Sequence, residues 1–504
     1  MKYILSPTQM RKADSIAIND YNIPSIILME NAARSASQII KQLYYENKIP
    51  YNNFVFFCGS GNNGGDGYAL ARHLFEDFDI KIYWVGSEDK MSLETRTNFQ
   101  AIKRINLPII HIGEDSDIDK IDLENKCIID ALIGVGGSEN IKKPALNILK
   151  KAESSKSYKI AIDAPTGLNT ETGIANHHCI RADITITMFA IKIGMLINDG
   201  PEVCGKIYVA NLGAPLSIIK ELSKIYILEH SDIKKNIPIR RKRTNKFDYG
   251  KVVILAGSRR FPGAASLTAN ATIKTGAGLV YLLSPLIHNS LLPEVIPQIL
   301  PTTDEGTISL NAYDSIMNEI NKANVLAIGP GLGDNTETTE LIQRIFENTS
   351  EKIPIVIDAD GLRFINSNSK LRKNIIITPH SGEFSRILNI NRKEIELNSL
   401  NYAIEYAKKS NCIVLLKNVP SIISDGNISY LNTNGNPGMA SGGSGDVLTG
   451  IIAGLLAIGL SPIDASSVGA FIHSDAADFY SSHFAQETLS ASSLLDSLVK
   501  VFPK

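Results

Sequence analysis

Two glycine-rich runs and three aspartates carry the chemistry of this sequence. The first run, Gly59-Ser60-Gly61-Asn62-Asn63-Gly64-Gly65-Asp66-Gly67, follows an apolar stretch and leads into a helical period near Tyr68. Glycines admit positive φ and let a ligand approach the backbone, while the N-terminus of the next helix offers unpaired N–H groups to a phosphate. The spacing Gly59-x-Gly61-x-x-Gly64 matches a dinucleotide fingerprint that is weak alone; Asn62, Asn63 and Asp66 sharpen it, because a turn needs no such set of polar side chains. Asp130 and Asp163 each end an apolar run, where open α/β sheets gather ligands. Asn63, Asp130, Asp163 and Thr166 can therefore converge on one crevice, their oxygens suited to a hard monovalent or divalent cation and Asp163 to acid–base work. Taken singly, each aspartate serves equally well to cap the following helix.

The second run, Asn434-Gly435-Asn436-Pro437-Gly438-Met439-Ala440-Ser441-Gly442-Gly443-Ser444-Gly445-Asp446, precedes the apolar segment 447–460. Its row of backbone N–H groups suits a transferred phosphoryl group, and Asp446 stands where a base could take the proton of an attacking hydroxyl. The pattern G-x-x-x-x-G-K-[ST] is absent, so phosphoryl chemistry must use another scaffold. Further decorated strand ends are Gly257-Ser258, Pro262-Gly263-Ala264-Ala265, Gly329-Pro330-Gly331-Leu332-Gly333, Asp358-Ala359-Asp360-Gly361, the His380 turn and Lys417 onward. His380 alone is equally a packed loop histidine, and Lys417 alone a solvated strand end.

The elements that must hold these groups alternate short apolar runs with helical periods, which predicts an α/β fold on largely parallel sheets. Strands are expected at 54–58, 80–85, 127–130, 158–163 and 184–189, then at 252–256, 279–283, 325–328, 355–357, 375–378 and 413–416; a long helix is expected from residue 26 through 43. The polar, basic stretch 231–248, centred on Arg240-Arg241-Lys242-Arg243, reads as a solvated linker, and the domains are placed at 1–225, 226–248 (linker) and 249–504. The 504 residues exceed one ordinary core, and 44% hydrophobic with 20% charged residues is the usage of a folding chain. Lys plus Arg (51) against Asp plus Glu (52) gives a net charge of −1, without the positive field that supports nucleic-acid binding. Five scattered cysteines with no C-x-x-C pair fit neither a disulfide framework nor a zinc site, so a cytoplasmic location is expected. No signal-like N-terminus and no apolar run of bilayer length is read, and no membrane partner is expected. Symmetric homo-oligomers are common for such α/β domains.

Ile23-Pro24-Ser25, Leu28-Met29-Glu30-Asn31-Ala32, the Gly59 to Gly67 run, Asp130-Ala131-Leu132-Ile133-Gly134-Val135-Gly136 and Asp163-Ala164-Pro165-Thr166-Gly167 resemble the NAD(P)H-hydrate epimerases. The resemblance implies a Rossmann-like three-layer domain. In it Asn62, Asn63, Gly64, Gly65 and Asp66, the loop Gly134-Val135-Gly136-Gly137-Ser138-Glu139-Asn140, and Asp163 contact the hydrated dinucleotide. It also implies a potassium ion on Asn63, Asp130 and Thr166, a catalytic role for Asp163, and a Lys192 that contacts phosphate or assists proton transfer. Thr166 replaces the usual Ser, and Ala164 the usual Ile.

From about residue 235 to 500 the chain resembles the ribokinase-like NAD(P)H-hydrate dehydratases, through Asn436-Pro437-Gly438-Met439-Ala440 and Pro379-His380-x-Gly382-Glu383. By that resemblance Ala265, Gly331 and Gly333, His380 and Asp446 hold the hydrate. Lys417-Asn418-Val419-Pro420-Ser421 and Asn436-Pro437-Gly438-Met439-Ala440-Ser441-Gly442-Gly443-Ser444-Gly445 hold the nucleotide. Ser444 stands for the usual Thr, Asn418 for Gly, and Phe247 for a common Gly. The implied activity is metabolite repair. The first domain interconverts the R and S hydrates, and the second dehydrates the S form with Mg²⁺ and ADP as co-substrate, giving AMP and phosphate with Asp446 as base. Two other readings stay open: an ATP-dependent small-molecule kinase of ribokinase type, and a first domain that only binds a dinucleotide or RNA.

Overall fold

The alternation of apolar runs and helical periods folds as two units in the computed structural model, which describes residues 1–113, 118–135 and 141–503. Residues 2–224 form one unit; residues 225–504, with Met1, form the other. The strands of the first are β1 Lys2–Leu5, β2 Asn53–Cys58, β3 Asp79–Trp84, β4 Ile109–His111, β5 Cys127–Ala131, β6 Tyr158–Ile162, β7 Ile184–Met188, β8 Ile191–Lys192 and β9 Lys206–Ala210. Seven of them make a wholly parallel sheet in the order β4-β3-β2-β5-β6-β7-β9, and β1 pairs separately with β8. The register Phe57↔Asp130 and Asp130↔Ala161 aligns the carboxyl ends of β2, β5 and β6, so the loops that follow them gather at one edge. The long helix runs over Ser25–Tyr45, and its buried stripe of Leu28, Met29, Ala32, Ala36, Ile40 and Leu43 keeps the three-and-four spacing of one helix face.

The second unit holds β10 Ile225–Ile227, β11 Lys251–Leu255, β12 Leu279–Ser284, β13 Ile296–Ile299, β14 Val325–Ile328, β15 Ile355–Ile357, β16 Ile375–Ile377, β17 Ile413–Leu416, β18 Ser421–Ser424 and β19 Ser429–Asn432. The order is β13-β12-β11-β14-β15-β16-β17-β18-β19-β10, parallel except where β18 runs against both neighbours. Both faces of its central strands are buried, as their unbroken Ile/Val/Leu runs require. The apolar helix, Ser444–Ala457, lies against Pro262–Lys274. A Cβ on Gly450 would sit 2.2 Å from the Thr268 carbonyl oxygen, so only glycine permits this approach.

Several expectations shift, and the strands expected to end at 85, 256 and 378 each end one residue early, at Trp84, Leu255 and Ile377. The strands expected to reach residues 163 and 189 stop one residue earlier, because Asp163 (φ 66°) and Phe189 (φ 64°) leave extended conformation. Residues 226–248, expected as a linker, fold with the second unit: β10 pairs parallel with β19, and His230–Asn236 is a helix that buries Ile233. Arg240, in the basic run, stacks on Tyr249 at 4.1 Å and donates to the Gly276 carbonyl at 2.6 Å. The run's high charge hid the short apolar stripe that docks this segment. All five cysteines are free and buried, and no helix among the described residues is long and apolar enough to cross a membrane.

Candidate active sites

In the first unit, β2 ends at Cys58, before Gly59, and the helix Asn62–Leu74 begins after Gly61. Close packing requires these glycines: a Cβ on Gly59 would lie 2.2 Å from the Leu132 carbonyl oxygen, and one on Gly64 1.9 Å from that of Gly59. The turn opens onto a cavity of about 970 Å³ lined by Asn62, Asn63, Asp66, Gly134, Val135, Asp163 and Lys192 among others. Gly64 and Gly65 are buried and do not line it; their place is in the packing of the helix. Gly136, Gly137, Ser138, Glu139 and Asn140 lie outside the described residues.

Lys192, 1% exposed, spends its three ammonium hydrogens on Asp163 Oδ1 (2.5 Å), Thr187 Oγ1 (2.8 Å) and the Met188 carbonyl (3.0 Å). Asp163 Oδ1 also accepts from the Met188 N–H at 3.2 Å. Asp163 is thus a pinned carboxylate in the left-handed region, the kind of local strain that collects at functional sites. Desolvation pushes the Asp66 carboxyl well above the usual carboxylate range, and Asp163 adds to it.

Beside the cavity, Asp130 accepts from Thr166 N (2.7 Å), Thr166 Oγ1 (2.6 Å) and Leu132 N (3.3 Å). Burial pushes its carboxyl up to about 6 against those bonds. Asn63 is buried, and both polar atoms of its amide lack a hydrogen-bond partner. A Cβ on Gly134 would lie 3.2 Å from the Asn63 side chain, so the chain after β5 closes over this amide. An orphaned amide oxygen, a buried carboxylate and a hydroxyl form an all-oxygen donor set, and these residues fit a hard monovalent cation. Among the described residues no group of three or more His, Cys, Asp or Glu could hold a metal.

In the second unit, Gly443 (φ 89°) begins the helix Ser444–Ala457, which has no side-chain cap and carries Asp446 in its first turn. Below it, Lys417 Nζ meets Asp358 Oδ1 at 2.7 Å, and Thr449 Oγ1 donates to Asp358 Oδ2 at 2.8 Å. A Cβ on Gly445 would lie 3.4 Å from Lys417 Nζ, so the ammonium sits directly under the helix start. Burial pushes the Asp446 carboxyl up to about 7, with the Asp358 charge adding and Lys417 opposing. Burial pulls the Lys417 ammonium down, but Asp358 and its neighbours outweigh this and hold it raised. The site therefore offers an anion-seeking helix end, a half-buried cation and a carboxyl poised to gain or lose a proton near neutrality.

The other expected residues take varied places. Asn436 is tied to Asp478 (2.9 Å) and accepts from the Gly438 N–H, and Asp478 also binds the Gly435 N–H at 2.8 Å. Ser444 contacts buried His473, whose imidazole is pulled down to about 4 by burial. Gly333 N–H donates to Asp360, and the Gly331 carbonyl accepts from Ser258. Pro437 and Met439 bound a short 3-10 turn, and Ala440, Ser441 and Gly442 complete the approach to the helix. Asn418, Val419 and Pro420 turn between β17 and β18 with Val419 exposed; Ser421 begins β18. Ala265 is fully buried, leaving it no exposed side chain to offer. His380 caps the helix Ser381–Leu388, its Nδ1 accepting from Gly382 N–H and Glu383 N–H.

Sequence reasoning placed Asp358 and Asp360 at a decorated strand end without giving either a role, and singled out neither Thr449 nor Asp478, nor Asp14 and Arg11, which line the first unit's cavity. For Asp358 the signal was its place at the end of an apolar run, like Asp130. For Asp14 it was an acid on an otherwise mostly apolar helical stripe.

Residues 252–500 match the family model described as NAD(P)H-hydrate dehydratase, and residues 25–194 the model described as YjeF-related protein N-terminus. The chain is 32% identical to the bifunctional NAD(P)H-hydrate repair enzyme Nnr of Moorella thermoacetica, over 98% of this chain and 96% of that protein. It is 30% identical to the protein of the same name from Escherichia coli, over 98% of this chain and 92% of that one. Among solved structures it is similar to the ADP/ATP-dependent NAD(P)H-hydrate dehydratase of Bacillus subtilis co-crystallized with ATP/Mg²⁺. That similarity is 26% identity over 55% of this chain and 97% of that chain, with a TM-score of 0.47.

Proposed function

The chain belongs to the bifunctional NAD(P)H-hydrate repair enzymes, and on that premise we propose that its first unit interconverts the R and S hydrates of NADH and NADPH while its second dehydrates the S epimer, consuming ADP. The observation that carries the second activity is Asp446, its carboxyl near 7, in the first turn of an uncapped helix above Lys417.

Asp446 takes the proton of the C6 hydroxyl of the hydrated ring, and the oxygen attacks the terminal phosphorus of ADP in line. The new O–P bond forms as the bond to AMP breaks, and the helix N–H groups with Lys417 offset the charge on the phosphoryl oxygens. The ring nitrogen's electron pair then assists departure of phosphate from C6. Loss of the C5 proton forms the C5=C6 bond of the dihydronicotinamide. Atoms balance as hydrate plus ADP giving NADH, AMP and phosphate. Mg²⁺ on the nucleotide phosphates would reduce the charge met by the attacking oxygen, and no residue role here depends on it. Asn436, tied to Asp478, with the run from Pro437 to Gly445 and Lys417 to Ser421, is assigned to the nucleotide; Gly331, Gly333 and His380 are assigned to the hydrate.

In the first unit, Asp163 is assigned to the hydrate, oriented by Lys192. Asn63, Asp130 and Thr166 would hold K⁺, which supplies positive charge beside the dinucleotide; the orphaned Asn63 amide supports this. The unpaired buried thiols support a reducing, cytoplasmic setting.

The test mixes full-length protein with R and S NADHX, Mg²⁺, K⁺ and either ADP or ATP, following nicotinamide absorbance. Complete recovery with ADP is expected. Recovery of one epimer alone would overturn the epimerase assignment, and a stable phosphorylated product without NADH would overturn the dehydratase.

A further inference from the structure

The helix Pro7–Asn19 turns Pro7, Met10, Arg11, Asp14 and Ile18 into the first unit's cavity, at the three-and-four spacing of a single face. Pro7, Met10 and Ile18 are the apolar side chains of that face, and Arg11 and Asp14 its charged ones. A half-buried carboxylate is costly without a donor, and the Asp14 carboxyl, on the cavity wall, accepts no hydrogen bond among the described residues. Asp163, across the cavity, is bound to Lys192 and to the Met188 N–H, which leaves it poorly free to pass a proton back and forth. The cavity therefore holds one carboxylate pinned by a lysine and another that is loose.

We propose that Asp14 is the proton shuttle of the epimerase, a catalytic residue, with Asp163 and Lys192 orienting the hydrate; the inference rests on the epimerase reading of this unit. One carboxyl suffices for the reaction because its two oxygens can address the C6 hydroxyl and the adjacent ring nitrogen N1 together. Asp14 accepts the hydroxyl proton. The C6–N1 bond breaks, its electron pair passing to N1 as the oxygen closes a C6=O bond, and the proton moves from Asp14 to N1. Rotation about C5–C6 presents the other face of the aldehyde. N1 attacks it, the C6–N1 bond re-forms, and the proton returns through Asp14 to oxygen. Nothing is oxidised or reduced, and no co-reactant is consumed.

Desolvation raises the Asp14 carboxyl to about 6, with Lys192 opposing and Asp163 adding. The other charged groups lining the cavity are Arg11, Asp66, Glu94, Lys142 and Lys143. A group near 6 is largely ionised at neutral pH and still able to give its proton up again, as a shuttle requires.

The experiment uses the full chain and purified R-NADHX, following its conversion to the S form by chromatography without nucleotide. Asp14→Asn is expected to lower kcat by about 100-fold or more with KM changed by less than about 3-fold. The wild-type rate should rise with pH through a limb near 6, absent in Asp14→Asn and retained, at reduced rate, in Asp14→Glu. ADP-dependent dehydration of S-NADHX, carried by the other unit, is measured alongside. An Asp14→Asn rate close to wild type, or a reduced rate that keeps the limb, overturns the shuttle while leaving the epimerase reading standing. A wild-type protein that interconverts nothing overturns both.

Discussion

Both units hold a lysine–aspartate pair, with one partner buried, next to a glycine-preceded helix start, and they use it differently. In the first, Lys192 binds the cavity-lining Asp163 at 2.5 Å, so the paired acid itself faces the ligand space. In the second, Lys417 binds Asp358, 1% exposed and further held by Thr449, beneath a separate acid, Asp446. In each, the lysine satisfies one aspartate and leaves another, Asp14 or Asp446, pushed by burial to about 6 or 7. A buried pair is weak evidence for stability but a firm means of fixing charge. The comparison teaches that the residue marked by a strong ion pair is the holder, and its unpaired neighbour the proton carrier.

The largest effect should come from removing the carrier in the second unit. Asp446→Asn is expected to cut dehydration about 1000-fold while epimerisation continues. Its carboxyl sits at about 7 when folded against 3.8 ordinarily, so the native state binds the proton more tightly and wild-type stability declines as pH rises between those values. The variant escapes that decline: denaturant titration should show it more stable by about 2–4 kcal/mol at pH 8, with the gain shrinking toward pH 4. A variant less stable than wild type at pH 8 would break the assignment of burial as the cause.

Removing the holders separates the two units more finely. Lys417→Met should slow dehydration about 100-fold and, by stranding Asp358, lower stability by about 3–5 kcal/mol. The acid limb of its dehydration pH profile should move up, because Lys417 opposes the rise at Asp446; Asp358→Asn should move it down, because Asp358 adds to that rise. Shifts in the same direction would show that the charges do not act on Asp446.

Smaller effects distinguish the two glycine turns. Gly64→Ala places a Cβ 1.9 Å from a backbone oxygen and should cost about 1–3 kcal/mol in the first unit's unfolding transition. Gly445→Ala meets the end of Lys417 at 3.4 Å and Asp358 Oδ2 at 3.7 Å, both side-chain contacts, and should cost less than about 1 kcal/mol. Smallest of all, Thr166→Ser keeps the hydroxyl beside Asp130 and should leave the epimerisation rate, with and without the proposed K⁺, within about twofold.

The amino-acid sequence by itself determined the features whose constraints are local. Alternating apolar runs demanded parallel α/β layers, the glycine runs marked tight strand-to-helix turns, and Asp130, Asp163 and Asp446 announced themselves by standing at element ends. It also suggested a linker that is not one, since a basic run conceals a short apolar stripe such as that around Ile233. Only the tertiary structure decided which of the strand-end groups meet. Lys417 finds Asp358 across 59 residues, Asp358 finds Thr449 across 91, and the Nδ1 of His380 caps the helix beside it. Asp14 lies at the start of the chain, remote in sequence from both glycine turns, and became legible only when its helix face closed on the cavity. The physical reason is common to all of these. Backbone conformation is set by neighbours along the chain, but the proton affinity of a carboxyl is set by whatever charge and solvent folding places around it.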